Sequence, residues 1–92
     1  MINIAQIGVG YWGPNLLRNL VSNKRCRITK VVDLSAERRD YVKNLYPTIE
    51  VFDNTNEIFE DGDIDGIVIA TPVFTHCDLA KKALKAGKHI LV

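Results

Sequence analysis

The sequence contains few residues that could form covalent or metal cross-links. Its 92 residues include only two cysteines, Cys26 and Cys77, and neither belongs to a Cys-x-x-Cys pair or a cysteine–histidine cluster. Such scarcity argues against a zinc site and against a disulfide framework. It favours reduced thiols in a cytoplasmic protein.

Long apolar runs and an excess of charge of one sign are also missing. The longest near-uninterrupted apolar stretch, residues 67–70, is far too short to span a bilayer, and no basic segment followed by an apolar one predicts a signal peptide. Twelve Lys and Arg residues nearly balance eleven Asp and Glu residues, which leaves a net charge of +1. We therefore expect neither a membrane nor a nucleic acid as a partner.

The composition that remains is that of an ordinary globular domain. Apolar residues make up 47% of the chain and charged residues 25%, which argues against disorder. The length leaves room for a single domain over residues 1–92.

Apolar patterns of strand type and helix type alternate along the chain. The strand candidates are 2–8, 26–32, 49–52, 66–70 and 90–92, and helical spacing follows in 16–21, 36–45, a short segment ending at 59, and 79–84. This alternation predicts an α/β fold of the Rossmann type, a doubly wound parallel sheet with strand order 3-2-1-4-5. Because the sequence stops at a strand that looks buried, we expect it to be the N-terminal part of a longer protein, truncated after the fifth strand.

Several residues predict where the helices begin and end. Pro14 fits the opening turn of the first helix, and Ser35 is a candidate cap for the second. Asn54 and Glu57 have the three-residue offset of a capping box. Gly87 is the expected C-terminal stop of the last long helix.

Two clusters of charge are interpreted as surface rather than as sites. The acidic residues match no complete calcium loop and are expected to form a solvated turn; they are Asp61, Asp63 and Asp65. The basic residues are expected to form an exposed face of one helix; they are Lys81, Lys82, Lys85 and Lys88.

A glycine fingerprint lies between the first strand and the first helix. It consists of Gly8, Gly10 and Gly13, and Asp33 follows 20 residues after the last glycine, at the end of the second strand. In a dinucleotide-binding turn, the first glycine permits a sharp bend, the second lets a pyrophosphate approach the backbone, and the third allows close helix packing. The amino terminus of the helix favours the phosphate charge, and the carboxylate can accept hydrogen bonds from the adenosine ribose.

Other nucleotide folds share parts of this pattern. A P-loop requires Lys and Ser or Thr after its last glycine, whereas Gly13 is followed by Pro14 and Asn15. A domain that binds S-adenosylmethionine remains an alternative, although the first strand lacks the acidic residue expected there, and a flavin domain remains another.

The charge near the ribose site predicts which cofactor is bound. Asp33 would repel the 2′-phosphate of NADP, so we expect NAD. Arg38 and Arg39 follow soon after and either offset that charge or point to solvent.

The same residues resemble a known enzyme family. The loop Gly8-Val9-Gly10-Tyr11-Trp12-Gly13-Pro14-Asn15-Leu16, together with Asp33 and the motif Ala70-Thr71-Pro72-x-x-x-His76, is similar to the N-terminal domain of the Gfo/Idh/MocA oxidoreductases. The resemblance implies hydride transfer between nicotinamide and a sugar-like alcohol. The Tyr-Trp-Gly-Pro-Asn form of the loop resembles the branch that oxidises C3 of UDP-N-acetylglucosamine or its uronic acid.

The resemblance also implies which residues contact the cofactor. That set comprises Gly8, Gly10, Tyr11, Trp12, Gly13, Asn15, Asp33, Leu34, Ala70, Thr71, Pro72 and His76. For Trp12 the alternative is an aromatic cover over the helix start. For His76 the alternative is a local hydrogen bond that shapes the turn.

No catalytic residue is expected within the chain. The family's catalytic lysine lies in a Glu-Lys-Pro motif after the fifth strand, and a histidine of the second domain joins it; neither position occurs in these 92 residues. The resemblance therefore implies cofactor binding without turnover. The competing interpretation is a freestanding NAD-sensing module that acts through a partner. Apolar surface left uncovered by an absent domain could also drive formation of a homo-oligomer.

Overall fold

The fold is built around one parallel sheet. The computed structural model of the chain describes residues 2–10, 13–71 and 75–91. Its strands are β1 (Ile2–Ile7), β2 (Cys26–Val32), β3 (Glu50–Phe52), β4 (Gly66–Ile69) and β5 (His89–Leu91). They lie in the order β3-β2-β1-β4-β5, and each neighbouring pair is parallel. The predicted Rossmann-type topology is therefore confirmed.

In the part of the chain that the structure describes, four α-helices connect the strands. They are α1 (Gly13–Ser22), α2 (Ala36–Leu45), α3 (Asn56–Phe59) and α4 (His76–Lys85). Within the described ranges, no helix is both long and apolar enough to cross a membrane.

Both faces of the sheet are covered, as its apolar strands require. One core cluster joins β1, β4 and the helices α3 and α4; it consists of Ala5, Ile7, Val32, Ile58, Ile64, Ile67, Ile69 and Ala83. The other joins β2 to α1 and α2; it consists of Val9, Leu17, Ile28, Val31, Val42 and Ile49. Every residue of β4 is buried, as predicted for a central strand.

The helices cover the sheet less completely than their apolar residues suggested. In α2 only Val42 is buried, whereas Tyr41 and Leu45 are largely exposed. In α4 Ala83 is buried, and Leu84 is exposed. Half-buried Leu79 and Ala80 of α4 also pack against the core.

Three of the predicted helix ends are confirmed and one is wrong. Pro14 lies in the opening turn of α1, as predicted. The Ser35 hydroxyl accepts from the backbone N–H of Arg38 at 3.3 Å, and Gly87 follows α4 with a φ of +74°. The capping box is not formed, because α3 begins after Thr55 and has no side-chain cap. The Asn54 side chain instead accepts from the N–H of Asn56 at 3.1 Å, which makes a turn before the helix.

Lys88 is not part of the exposed basic face that the sequence predicted. Lys81, Lys82 and Lys85 are exposed on α4, but Lys88 lies beyond that helix and is buried. Its Nζ donates to the carbonyl oxygens of Asp61 at 2.7 Å and Ile64 at 2.9 Å. The prediction failed because Gly87 ends the helix. Lys88 therefore lies just before β5, beside the turn that precedes β4.

The Asp61 carboxylate in the acidic turn is held by a backbone N–H and by Lys30, in addition to the bonds that Lys88 makes to carbonyl oxygens of this turn. The Asp63 N–H donates to Oδ1 of Asp61 at 2.9 Å, and Lys30 Nζ lies 3.0 Å from Oδ2. These two contacts, the backbone bond first, hold the pKa of Asp61 below its usual value. Asp65 accepts from the N–H of Asn3 at 2.9 Å. The predicted turn is confirmed, and its carboxylates fasten it to the sheet.

The two cysteines are free thiols. Cys26 is half-buried and Cys77 is exposed. Among the described residues, no group of three His, Cys, Asp or Glu side chains is placed to hold a metal ion.

Candidate functional site

The candidate site lies at the carboxyl edge of the sheet, where β1 turns into α1. Gly8 has a φ of +94°, in the region that only glycine adopts readily. A Cβ atom at Gly8 would lie 2.7 Å from the carbonyl oxygen of Ala70 and 2.8 Å from Cγ2 of Thr71. Because β1 and β4 are neighbours, the turns that follow them meet at this point. Gly8 is therefore required both by its backbone angle and by its neighbours.

The other two glycines have different surroundings. A Cβ atom at Gly13 would lie 3.0 Å from the carbonyl oxygen of Gly8, so α1 starts in tight contact with the turn. At Gly10 a Cβ atom would meet no atom of the described residues within 4 Å. That open side leaves the backbone approachable by a ligand, as the fingerprint predicts for its second glycine.

The amino terminus of α1 faces this turn without a neutralising charge. The helix begins at Gly13, and its first turn contains Pro14 and no acidic residue. Asn15 is exposed in the same turn. Since the partial positive charge of a helix amino terminus attracts anions, the arrangement suits a phosphate group.

Asp33 lies beside the turn, although 24 residues separate it from Val9. The N–H of Val9 donates to Asp33 Oδ2 at 2.8 Å, and the N–H of Ser35 donates to Oδ1 at 2.9 Å. These bonds fix the half-buried carboxylate between β2 and the turn. Each carboxylate oxygen can accept more than one hydrogen bond, so Asp33 retains capacity for ribose hydroxyls.

Two residues that follow Asp33, Leu34 and Arg39, differ in their contacts. Leu34 is 87% exposed. Arg39 donates from Nη1 to the carbonyl oxygen of Asp33 at 2.7 Å. Arg39 therefore does not simply point to solvent, and it supports the backbone of Asp33.

The turn between β4 and α4 is held by side chains. His76 Nε2 lies 2.7 Å from the carbonyl oxygen of Thr71, and the hydroxyls of Thr71 and Thr75 are hydrogen-bonded. The local hydrogen bond anticipated as the alternative for His76 is thus formed. A contact between His76 and the cofactor stays a prediction.

Most of the predicted cofactor-binding residues converge on this edge. Those that the structure brings around the two turns are Gly8, Gly10, Gly13, Asn15, Asp33, Leu34, Ala70, Thr71 and His76. Three others lie outside the described residues; they are Tyr11, Trp12 and Pro72.

One residue at this edge was missed in the sequence. Gln6, in β1, is fully buried and donates from Nε2 to the carbonyl oxygens of Gly8 at 2.9 Å and Gly13 at 3.0 Å. The available signal was an amide side chain within the apolar run Ile4-Ala5-Gln6-Ile7. A polar residue at such a position requires a hydrogen-bonding partner.

The comparisons with known proteins agree with this geometry. The family GFO_IDH_MocA, described as an oxidoreductase family with an NAD-binding Rossmann fold, matches residues 2–92. An uncharacterized oxidoreductase of Escherichia coli, YdgJ, is 38% identical over 91 residues, which cover 99% of this chain and 26% of that protein. The scyllo-inositol 2-dehydrogenase (NAD(+)) of Bacillus subtilis is 30% identical and is covered to 27%, with 99% of this chain matched.

Solved structures support the same assignment. The scyllo-inositol dehydrogenase of Lactobacillus casei, solved with NAD(H) and scyllo-inositol, matches with a TM-score of 0.88 at 25% identity, covering 98% of this chain and 27% of that one. GenD2 from gentamicin A biosynthesis, solved with NAD, matches with a TM-score of 0.91 at 25% identity, covering 99% and 26%. This chain thus spans about a quarter of the length of the curated relatives it matches.

Proposed function

Because the chain belongs to the Gfo/Idh/MocA oxidoreductase family and forms its NAD-binding Rossmann domain, we propose a specific way in which it holds NAD. The pyrophosphate lies on the turn from Gly8 to Gly13, at the amino end of α1. The adenosine ribose lies against Asp33. The observation that carries this proposal is the 2.8 Å hydrogen bond between the Val9 N–H and Asp33, which joins the two halves of the fingerprint.

The residues present fit a dinucleotide. The open side of Gly10 admits a phosphate, and the start of α1 contains no acidic side chain that would repel it. Asp33 has acceptor capacity for hydroxyl groups. When bound, the nicotinamide ring supplies the acceptor or donor of hydride; the protein residues bind and orient the cofactor.

We propose further that NAD is preferred over NADP. The Asp33 carboxylate faces the ribose position, and its charge would oppose a 2′-phosphate. Arg39 is already engaged by the Asp33 carbonyl oxygen at 2.7 Å. Calorimetric titration of the chain with each cofactor should show tighter binding of NAD. Tighter binding of NADP would contradict this assignment of Asp33.

The reaction that we propose for the whole protein is hydride transfer between nicotinamide and an alcohol of a sugar or sugar nucleotide. The relatives whose names mention inositols act on hydroxyl-rich rings, which supports a substrate of this chemical class. The loop Tyr11-Trp12-Gly13-Pro14-Asn15 supports the sugar-nucleotide branch by resemblance.

These 92 residues alone should bind cofactor without turnover. They contain no Glu-Lys-Pro motif, in which the family's catalytic lysine is expected. An assay of nicotinamide reduction with inositols and UDP-sugars should show no activity for the chain while calorimetry shows NAD binding. Measurable dehydrogenation would contradict the first expectation. Binding of S-adenosylmethionine without NAD would contradict the proposed function itself.

Self-association and location are further parts of the proposal. Exposed apolar side chains at Leu34, Leu84 and Leu91 offer surface for contact between copies of the chain. Sedimentation that shows only monomer at high concentration would count against a homo-oligomer. The free thiols of Cys26 and Cys77 suit the reducing cytoplasm, which fractionation of cells that express the protein would test.

A further inference from the structure

Gln6 occupies a position where an apolar residue would be expected. It lies in β1 between Ala5 and Ile7, which are both buried members of the core, and Gln6 itself is 0% exposed. Burying an amide away from water is unfavourable unless its polar atoms find partners. The presence of Gln6 in the central strand therefore needs a reason other than packing.

The partners of Gln6 are the two ends of the glycine turn. Its Nε2 lies 2.9 Å from the carbonyl oxygen of Gly8 and 3.0 Å from that of Gly13. Both acceptors are carbonyl groups, so only the nitrogen end of the side-chain amide can serve them. One side chain thus ties Gly8, the residue after β1, to Gly13, where α1 begins.

The other end of the amide gains nothing comparable. Among the described residues, Gln6 Oε1 is buried and has no hydrogen-bonding partner. An unpaired buried acceptor lowers stability. A residue selected for stability alone would be replaced here by an apolar one, whereas a residue that shapes the turn must keep its two N–H donors.

We propose that Gln6 is a positioning residue for cofactor binding. Resting on the function proposed above, the inference is that the Gln6 amide holds the turn from Gly8 to Gly13 in its binding shape before NAD arrives. Held in this way, the backbone N–H groups at the start of α1 need little further ordering when a pyrophosphate binds. Preorganisation of this kind increases affinity by reducing the ordering that accompanies binding.

The test compares two buried donors, each of which fastens two carbonyl oxygens. Gln6→Met keeps the length of the side chain and removes both donors. Lys88→Met removes the ammonium donor at the opposite edge of the sheet, where Lys88 bonds to Asp61 and Ile64, and leaves an unbranched side chain one atom shorter. Calorimetry should give a Kd for NAD about tenfold higher in Gln6→Met and an unchanged Kd in Lys88→Met. Equal Kd values for Gln6→Met and the wild type would overturn the inference and leave the proposed function intact.

A second measurement does not depend on NAD, and its first part, on the wild-type chain, does not depend on the folding of a variant. In the wild-type chain, the side-chain NH₂ protons of Gln6 should exchange slowly with solvent, because both are hydrogen-bonded and buried. In Gln6→Met, the Val9 N–H should exchange faster than in the wild type, since the turn that carries it is released. Rapid exchange of the Gln6 protons in the wild type would refute the inference. Failure of the wild type to bind NAD, with those protons protected, would refute the proposed function and with it the role of Gln6 in NAD binding.

Discussion

At each of the two edges of the sheet, a buried side-chain donor binds two backbone carbonyl oxygens, but the two turns have different roles. At the carboxyl edge, the Gln6 amide binds the carbonyl oxygens of Gly8 and Gly13. At the amino edge, the Lys88 ammonium binds the carbonyl oxygens of Asp61 and Ile64. Each buried donor joins two carbonyl oxygens of one turn, in addition to the main-chain bonds at the ends of that turn.

The edges differ in charge and in openness. The turn at the amino edge carries Asp61, Asp63 and Asp65, and the first and last of these carboxylates accept bonds from the chain's own backbone N–H groups. The carboxyl edge combines a helix start free of acidic residues with an unobstructed approach at Gly10. The difference teaches that a turn whose carboxylates are paired within the chain fastens the sheet, whereas a turn with an open backbone and no acidic residue suits the ligand that we propose.

The largest effect is expected from adding a side chain at Gly8, where the two turns of the carboxyl edge are in tight contact. Gly8→Ala would force a side chain into a φ of +94°, 2.7 Å from the Ala70 carbonyl oxygen. We expect a loss of about 3 kcal/mol in the free energy of unfolding and a loss of NAD binding. Urea denaturation and calorimetry measure the two effects. A variant as stable as the wild type would show that the two turns can move apart.

A large effect confined to stability is expected from the amino edge. Lys88→Met leaves the carbonyl oxygens of Asp61 and Ile64 without their buried donor, which should lower the free energy of unfolding by about 2 kcal/mol. Denaturant unfolding measures this loss. The acidic turn lies at the opposite end of the strands from the glycine fingerprint. The Kd for NAD should therefore stay unchanged. A weakened Kd would mean that the two edges are coupled.

A smaller effect confined to binding is expected at Gly10. Among the residues that the structure describes, none comes within 4 Å of a Cβ added at Gly10 or at Gly62, which lies in the acidic turn. Gly10→Ala and Gly62→Ala should both stay within about 0.5 kcal/mol of wild-type stability. Only Gly10→Ala should raise the Kd for NAD, by about tenfold, because the methyl group occupies the approach of the pyrophosphate. Equal Kd values in the two variants would show that the pyrophosphate does not bind at the glycine turn.

The smallest effect is expected from acid. The pKa of Asp61 is lowered by the Asp63 N–H and then by Lys30, so its ionised form is favoured in the folded state. Its contribution to stability is complete at neutral pH and decreases as the pH falls through 3.8, the ordinary value, and below. In unfolding curves measured across that range, Asp61→Asn should lose stability less steeply than the wild type. Parallel curves would show that the turn does not depend on this charge.

Sequence reasoning predicted what depends on neighbouring residues. Apolar alternation identified all five strands of the described sheet, and Ser35 and Gly87 marked real helix ends. It erred at Lys88, which was assigned to the exposed face of a helix. It also erred at the capping box predicted for Asn54 and Glu57. Both errors concern residues beside a helix. Their hydrogen-bonding partners depend on the path that the backbone takes before or after that helix.

The candidate site was predicted in its composition and not in its bonding. The spacing of the three glycines and of Asp33 pointed to a dinucleotide. The bond from Val9 to Asp33 could not be inferred, since it requires β1 and β2 to lie side by side in one register. Gln6 was overlooked for a related reason: its acceptors are backbone carbonyl groups, which leave no mark in the sequence.

By itself, the sequence determined the order of the strands and helices and identified the glycine turn and the acid for which we propose a ribose contact, because these follow from periodicity and from the chemistry of single residues. The tertiary structure decided that Gly8 must clear the Ala70 carbonyl, that Gln6 ties two ends of one turn, and that Lys88 is buried. Those outcomes depend on distances between segments far apart in the chain, which are fixed only when the sheet assembles.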